Sequence, residues 1–308
     1  MAKQYTSHLL MVRPACFQFN VETAASNLFQ NQIENLSKEE IKQKAVAEFD
    51  AYVNKLQEHL INVTVIQDTK EPAKPDAIFP NNWISMHDDG TIYIYPMCTP
   101  NRRLEVRPEI IDDLRKKFKI QNIVDLTFYT KQNIYLEGTG SILFDHLNKI
   151  AYACLSPRTN QDLFEQLCIK LGYQAFSFSA YNEQDVLIYH TNVMLTIGDK
   201  FAVICLESIK NELERNTIKQ QLEQTGHEII DINFEQMNAF AGNMLQVENE
   251  DGKTYLVMSE TSYDSLNIQQ IKQINKHTSI LSVEIPTIEQ IGGGSARCML
   301  AEIYLAVK

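Results

Sequence analysis

Paired short apolar runs recur along the chain, and a polar turn separates the two runs of each pair. The pairs lie in FPNNWISMHDDGTIYIYPMC, LEGTGSILFDHLNKIAYACLS, YHTNVMLTIGDKFAVICLES and FAGNMLQVENEDGKTYLVMSE. Small polar residues precede each pair and turns such as DDG or NEDGK divide it, a pattern that predicts β-hairpins. The hairpins begin near Asn82, Thr139, Asn192 and Asn243, and GGGSARCMLAEIYLAV begins a fifth near Gly294. A repeat of roughly 50 to 60 residues predicts a closed, repeated architecture.

Helix-like segments lie between the hairpins and are followed by further strand-like runs. SKEEIKQKAVAEFDAYVNKLQEHL has apolar residues at helical spacing, Ser37 as an N-cap, and Glu39 and Glu40 in its first turn. Similar patterns predict helices in RPEIIDDLRKKF, NQDLFEQLCIKLG, ESIKNELERNTIKQQLEQTG and SLNIQQIKQIN, and strands in NVTVIQD, IQNIVDLT, YQAFSFS, HEIIDIN and TSILSVEIP. We therefore predict five repeats of strand, hairpin, helix and strand, permuted at the termini, in a single α/β domain, residues 1–308. The hairpin starts are predicted to meet on its axis.

Composition argues against several classes of partner. The 308-residue chain has a net charge of −11 and a pI near 5.2, which argues against binding to nucleic acid or to an anionic membrane. No run reaches the ~18 apolar residues of a membrane span, and the first residues lack the apolar stretch of a signal peptide. The six cysteines are scattered without a CxxC pair. This usage favours a cytoplasmic protein without a disulfide framework or a metal site.

The hairpin starts supply the side chains with chemical potential. They are Asn81, Asn82, Glu137, His190, Asn192, Asn243 and Cys298. A cysteine, a histidine and a glutamate are the parts of a thiol nucleophile, its acid–base partner and the group that orients that partner. Cys298 follows three glycines, which allow close approach of the backbone, and the adjacent Arg297 favours the reactive thiolate. Their convergence predicts a catalytic site surrounded by amide side chains.

Further polar residues lie outside the hairpin starts. Asp76 precedes the apolar run AIF and suits equally a helix cap or a ligand for a substrate amine. His87 and His146 lie near predicted hairpin tips, which favours solvated positions. The segment from Asn20 to Gln30 is a candidate lid over the site.

Four of these motifs together resemble a known superfamily. DAIFPNNW, LEGTG, YHTNV and GGGSARCM are similar to motifs of the guanidino-modifying enzymes, which include amidinotransferases, arginine deiminases and dimethylarginine dimethylaminohydrolases. The opening MVRPACFQFNVETAASNLFQ resembles an amidinotransferase-like subgroup of citrulline-utilisation hydrolases. The resemblance spans nearly the whole chain. It implies a five-bladed, pseudo-symmetric α/β propeller (the pentein fold), no cofactor, a small amino-acid substrate and a possible homodimer.

The resemblance also implies roles for individual residues. Cys298 would be the nucleophile, His190 the general acid and base, and Glu137 the group that orients the histidine and a substrate nitrogen. Asp76 matches a position that holds the substrate α-amino group, and Arg297 falls near an arginine that holds a carboxylate. The remaining expected substrate ligands are Asn81, Asn82, Asn192 and Asn243.

The chain departs from the superfamily at the amides. Asn81 and Asn82 stand at positions that are typically acidic, and Asn192 stands where arginine deiminases have an aspartate. A guanidinium cation prefers carboxylates, whereas an amide can donate and accept and so suits a neutral ureido group. Succinylarginine dihydrolases, which hydrolyse twice at one such site, also place asparagine near this position.

These departures favour a hydrolase that releases ammonia from a ureido compound such as citrulline over a deiminase of arginine. Transfer of an amidino group to an amine is the alternative within the superfamily. Outside it, the alternatives are a catalytically silent propeller that binds an amino acid, and a cysteine amidase or acyl transferase.

Overall fold

The computed structural model describes residues 3–32 and 36–308. Within these ranges the chain forms fifteen β-strands in five three-stranded sheets. The strands are β1 (His8–Arg13), β2 (Asn62–Gln67), β3 (Ile84–Met86), β4 (Thr91–Ile94), β5 (Asn122–Asp125), β6 (Leu143–Asp145), β7 (Ile150–Cys154), β8 (Gln174–Phe178), β9 (Leu195–Ile197), β10 (Phe201–Ile204), β11 (Glu228–Asp231), β12 (Leu245–Glu248), β13 (Thr254–Ser259), β14 (Ser279–Val283) and β15 (Ala301–Glu302).

The five sheets share one topology. In four of them a hairpin of two antiparallel strands is followed by a third strand parallel to the second, as in β3–β4–β5. The fifth sheet has the order β15–β1–β2, in which β15 is antiparallel to β1 and β1 is parallel to β2. The last predicted hairpin is therefore completed by β1. The five sheets fit the predicted pseudo-symmetric repeat, and the α/β class is confirmed.

Helices connect the second and third strands of the sheets and line the ends of the strands. Within the described ranges the α-helices are α1 (Val21–Ala24), α2 (Lys38–Glu58), α3 (Pro100–Arg103), α4 (Pro108–Lys117), α5 (Gly138–Ser141), α6 (Gln161–Leu171), α7 (Glu212–Gln224), α8 (Phe234–Asn238), α9 (Glu260–Ser265), α10 (Ile268–Asn275) and α11 (Pro286–Gly292). The longest, α2, begins at a capping box in which the Glu40 N–H donates to Ser37 Oγ and the Ser37 N–H donates to the Glu40 carboxylate. Its buried stripe includes Phe49, Tyr52 and Leu56, which pack in the same apolar cluster as Leu9 and Met11 of β1. No helix in the described ranges is both long and apolar enough to cross a membrane.

Short turns precede the first strand of each hairpin and carry the predicted site residues. Three are 3₁₀ turns, Pro80–Asn82, Thr191–Val193 and Ala296–Met299. The fourth is α5, and the fifth is the turn that contains Asn243 before β12. These turns are buried and contact one another, α5 against Pro80–Asn82 and Thr191–Val193, and Pro80–Asn82 against Ala296–Met299. The predicted convergence of the hairpin starts is thus present.

The two hairpin-tip histidines differ from the expectation of solvated positions. His87 is buried, its Nε2 lies 2.8 Å from Ser85 Oγ, and its ring packs edge-on to Phe144. His146 is half-buried, and its Nδ1 lies 2.7 Å from the Tyr173 hydroxyl. Both rings pack against aromatic side chains. Burial of the His87 ring lowers its pKa to about 4.

Candidate active site

The thiol of Cys298 is held by amide side chains from two other repeats. The Asn243 amide donates to Sγ at 3.2 Å, and the Asn192 amide donates to it at 3.5 Å. The Cys298 backbone N–H donates in turn to Asn243 Oδ1 at 3.3 Å. Three hairpin starts therefore meet at the sulfur atom of Cys298, a residue that is only 5% exposed.

The glycines before Cys298 permit close packing at the end of α11. Gly293 has φ of +60°, which favours glycine, and its N–H donates to Glu289 O and ends the helix. A Cβ on Gly293 would lie 2.7 Å from the Asn27 amide nitrogen. A Cβ on Gly294 would lie 3.3 Å from Cys298 Cβ. The run GGG thus lets this loop pass between Cys298 and the segment around Asn27.

Glu137 and His190 form a buried pair. His190 Nε2 lies 2.8 Å from Glu137 Oε2, and the Cys98 backbone N–H donates to Glu137 Oε1 at 2.9 Å. Burial alone would raise the Glu137 pKa, but nearby Arg158 and the hydrogen bond from His190 hold it well below its usual value. The carboxylate therefore stays ionised and fixes the orientation of the imidazole.

The histidine and the thiol are both neutral near pH 7. Burial lowers the pKa of His190 to about 4 although the hydrogen bond to Glu137 opposes this. Burial also raises the pKa of Cys298, and hydrogen bonds from Asn243 and the Ser295 backbone offset it only in part. The resting thiol differs in this respect from the thiolate expected from the neighbouring arginine.

Several buried polar atoms of the predicted site residues have no hydrogen-bond partner. Asn82 Oδ1 accepts from Arg102 Nη1 at 2.8 Å, which leaves its amide nitrogen free. The unpartnered buried atoms of the predicted site residues in the described ranges are Asp76 Oδ1, Asn81 Oδ1, Asn81 Nδ2, Asn82 Nδ2 and Asn192 Oδ1. Since buried polar groups are normally satisfied, these donors and acceptors indicate a ligand site. No cluster of three metal-ligating side chains occurs among the described residues.

Two buried arginines at the site were missed from the sequence. Arg102 pairs with Glu105 at 2.8 Å and lies 3.8 Å from Asp76. Arg158 Nη1 lies 3.6 Å from Glu137 Oε2, and its guanidinium packs on the Tyr189 ring at 4.9 Å. A repeated signal was available, because both arginines follow a cysteine by four positions, in CTPNR and CLSPR, just after the second strand of a hairpin.

Arg297 does not face the other predicted site residues. Its guanidinium donates to Leu300 O at 2.8 Å and to Glu302 Oε2 at 2.8 Å. Successive side chains of a 3₁₀ turn point in directions about 120° apart, so adjacency to Cys298 does not place Arg297 beside the thiol's partners. Its expected contact with a substrate carboxylate stays a prediction, which these intramolecular hydrogen bonds disfavour.

The candidate lid lies against the site. The Asn20 amide donates to Asp76 Oδ2 at 2.7 Å, and Asn27 donates to Gly292 O at 3.2 Å. Arg158 donates to Thr23 O at 3.2 Å and to Ser26 Oγ at 2.6 Å. These hydrogen bonds connect the segment Asn20–Gln30 to Asp76, to Arg158 and to the loop before Cys298, so that the segment packs over the site.

Replacing Gly140 by alanine is expected to disturb the pair without unfolding the chain. The added Cβ would lie 2.8 Å from His190 Nδ1 and press on the Asn82 amide. We expect catalysis to fall by about 10²-fold because the imidazole and the amide are displaced. Ammonia release and thermal unfolding are measured together. Gly172→Ala, with no atom within 4 Å but φ of +73°, is the control and should lower stability alone. A Gly140→Ala variant with normal turnover would contradict a catalytic His190.

Comparison with known proteins assigns the chain to a family. The family described as "N,N dimethylarginine dimethylhydrolase, eukaryotic" matches residues 13–305. No curated protein matches the sequence significantly.

Solved structures share the fold at low sequence identity. The product-bound N-terminal domain of ArgZ, an arginine dihydrolase from the ornithine-ammonia cycle in cyanobacteria, has a TM-score of 0.74 at 15% identity, and the match covers 96% of this chain and 97% of that one. Unliganded AgrE has a TM-score of 0.75 at 15% identity, with coverage of 98% and 40%. A dimethylarginine dimethylaminohydrolase adduct with 4-chloro-2-hydroxymethylpyridine has a TM-score of 0.65 at 17% identity, with coverage of 98% and 100%.

The present chain spans 40% of the length of apo ArgZ. It belongs to the family described as "N,N dimethylarginine dimethylhydrolase, eukaryotic", within the guanidino-modifying pentein superfamily.

Proposed function

We propose that this protein hydrolyses the guanidino group of an arginine-like amino acid, with Cys298 attacking the guanidino carbon. We propose that it then hydrolyses the ureido product at the same site. The observation that carries the proposal is the contact of Cys298 Sγ with Asn192 and Asn243, in a site that also holds the Glu137–His190 pair. In the same proposal the five sheets close into a five-bladed propeller within a single domain, residues 1–308.

The α-amino and α-carboxyl groups of the substrate would be held at the lid side of the site. Asp76 has a free, buried Oδ1 and is the ligand for the ammonium group. Arg158, beside Glu137 and the lid, is the ligand for the carboxylate, a role that replaces the one first expected of Arg297. Because these residues are covered, the segment Asn20–Gln30 must move for the substrate to enter.

A cationic guanidinium suits the first step better than a neutral ureido group. A positive charge beside the buried thiol lowers its pKa, and the thiol loses its proton to His190. The thiolate adds to the guanidino carbon, and His190 returns the proton to a leaving nitrogen, so that ammonia departs and an S-linked amidine remains. Water then adds, with His190 as the base, and breakdown of the adduct frees the thiol and a ureido product. Arginine thus precedes citrulline as the entering substrate, which reverses the order favoured from the amides alone.

The amide side chains support a second hydrolysis of the ureido product. The free acceptor and donor atoms of Asn81, with Asn82 Nδ2, match a group that carries a C=O beside N–H groups. Renewed attack by the thiolate releases a second ammonia and forms a thiocarbamate, which water converts to the amine and carbon dioxide. In total, one arginine and two waters give ornithine, two ammonia and carbon dioxide. ArgZ, which has a similar fold, is an arginine dihydrolase.

The same amides disfavour methylated substrates. A methyl group on a guanidino nitrogen would face polar atoms and leave them buried without partners, at a cost of ~1–3 kcal/mol each. We therefore propose an unmethylated substrate despite the family's description.

The test is ammonia release from arginine, citrulline and dimethylarginine, with the amino-acid products identified. We expect ornithine from arginine with two ammonia for each ornithine, and little turnover of dimethylarginine. Citrulline accumulation from arginine would restrict the enzyme to the first step. Dimethylamine release from dimethylarginine would overturn the amide argument. Turnover only with an added amine would favour amidino transfer, and an unreactive thiol would favour a binding protein.

A further inference from the structure

Glu289 is a buried carboxylate that none of the proposed steps uses. It lies in α11 and is 3% exposed. Hydroxyl groups hold it: Ser295 Oγ donates to Oε1 at 2.5 Å, and Thr261 Oγ1 donates to Oε2 at 2.7 Å. Burial raises its pKa in spite of these donors. A carboxylate is costly to bury, so a residue of this kind between a helix and a catalytic loop needs a reason.

Ser295 connects this carboxylate to the thiol. It directly precedes the turn Ala296–Met299, and its carbonyl accepts the Cys298 N–H at 3.0 Å. The Ser295 backbone beside the thiol also lowers the pKa of Cys298, against the larger effect of burial, which raises it. The orientation of Ser295 therefore affects how well a thiolate is stabilised.

The other partner of Glu289 belongs to a different part of the site. Thr261 lies in α9, which begins directly after β13. That strand pairs with β12, which follows the turn of Asn243. The carboxylate thus joins the sheet that presents Asn243 to the loop that presents Cys298, the two sides of the 3.2 Å contact between amide and sulfur.

We propose that Glu289 is a positioning residue that acts through Ser295 to hold the Cys298 thiol against its hydrogen-bond donors. The inference rests on the proposed function, since it matters only where Cys298 is the nucleophile. Loss of Glu289 should make the thiolate harder to form and slow turnover. Substrate affinity should be retained, because the hydrogen bonds of Glu289 go to Ser295 and Thr261 and not to predicted substrate ligands.

The experiment compares Glu289→Gln, Ser295→Ala and the double variant, with Thr261→Val as the matched control. Alkylation of Cys298 by iodoacetamide is followed by mass spectrometry across pH, beside kcat, KM and thermal unfolding. Glu289→Gln and Ser295→Ala should each raise the midpoint of the alkylation profile by about one pH unit and lower kcat about tenfold, as the loss of one hydrogen bond to a charged group predicts. KM should stay within about twofold, and the double variant should be no worse than either single variant because both act on one contact. As the matched control, Thr261→Val keeps the Ser295 contact and loses only the tie to α9, so its alkylation midpoint and kcat should change less than those of Glu289→Gln.

Different outcomes refute different claims. If the wild type is active and Glu289→Gln has the same alkylation profile and kcat, the inference is overturned. It is also overturned if the effects of Glu289→Gln and Ser295→Ala on kcat add in the double variant. Where Glu289→Gln does not fold, Ser295→Ala decides, and an unchanged profile there overturns the inference. A wild type that releases no ammonia and alkylates like an ordinary thiol refutes the proposed function itself.

Discussion

Ammonia release is expected to fall by more than about 10³-fold when Cys298 is replaced by alanine, because the covalent route is lost with the nucleophile. The fold should remain, since the change removes one sulfur atom from a turn that keeps its backbone hydrogen bonds to Ser295 and Asn243. Turnover is measured beside thermal unfolding, and mass spectrometry of the wild type during turnover should show a substrate-derived adduct on Cys298.

Cys205→Ala is the matched control for this variant. Cys205 is also a fully buried cysteine, but it follows β10, beyond the second strand of its hairpin. It should cost stability of about 1–2 kcal/mol and leave turnover intact. Comparable ammonia release from Cys298→Ala and the wild type would end the nucleophile assignment.

Replacing Glu137 by glutamine is expected to have the second-largest effect. The substitution keeps the size of the side chain but removes the negative charge of the carboxylate, whose Oε2 lies 2.8 Å from His190 Nε2. Without it the imidazole is free to take the wrong tautomer and loses the partner that stabilises its protonated form. Because acid–base assistance is worth about 10²–10⁴-fold, kcat should fall by roughly 10²–10³-fold.

A second buried carboxylate separates this effect from a general loss of stability. Asp145 in β6 accepts from the Asn148 side chain at 2.8 Å, at the turn of the same hairpin that Glu137 precedes. Asp145→Asn should lower the unfolding temperature and leave kcat near the wild-type value. If Glu137→Gln kept nearly full turnover, His190 would not need an anionic partner, and the proposed relay of protons would be wrong.

The fold was largely predictable because its signals are local. Apolar alternation and polar turns predicted the hairpins, and the Ser37 cap predicted α2, since both patterns depend on neighbours in sequence. The constant position of Asn82, His190 and Cys298 relative to each hairpin then predicted that they converge. The permutation of the repeat at the termini was predicted as well, but the register of β15 on β1 was not, because it joins distant segments.

The direction of a side chain was the weak point of sequence reasoning. The family resemblance placed Arg297 near an arginine that holds a substrate carboxylate, but in the structure its guanidinium donates to Leu300 and Glu302. Arg102 and Arg158 were overlooked because charged residues usually lie at the surface. Their burial depends on tertiary partners, among them the lid residue Ser26 for Arg158, which no local pattern reveals.

The strand that follows Cys298 has a consequence for the order of folding. β15 is held by β1, and the register joins Leu9 to Glu302. Closing so long a loop has a high entropic cost, so contacts between such distant segments tend to form late. The turn Ala296–Met299 directly precedes β15, so we expect the contacts of Cys298 Sγ with Asn192 and Asn243 to form late as well. Until then Cys298 would have the reactivity of an ordinary cysteine.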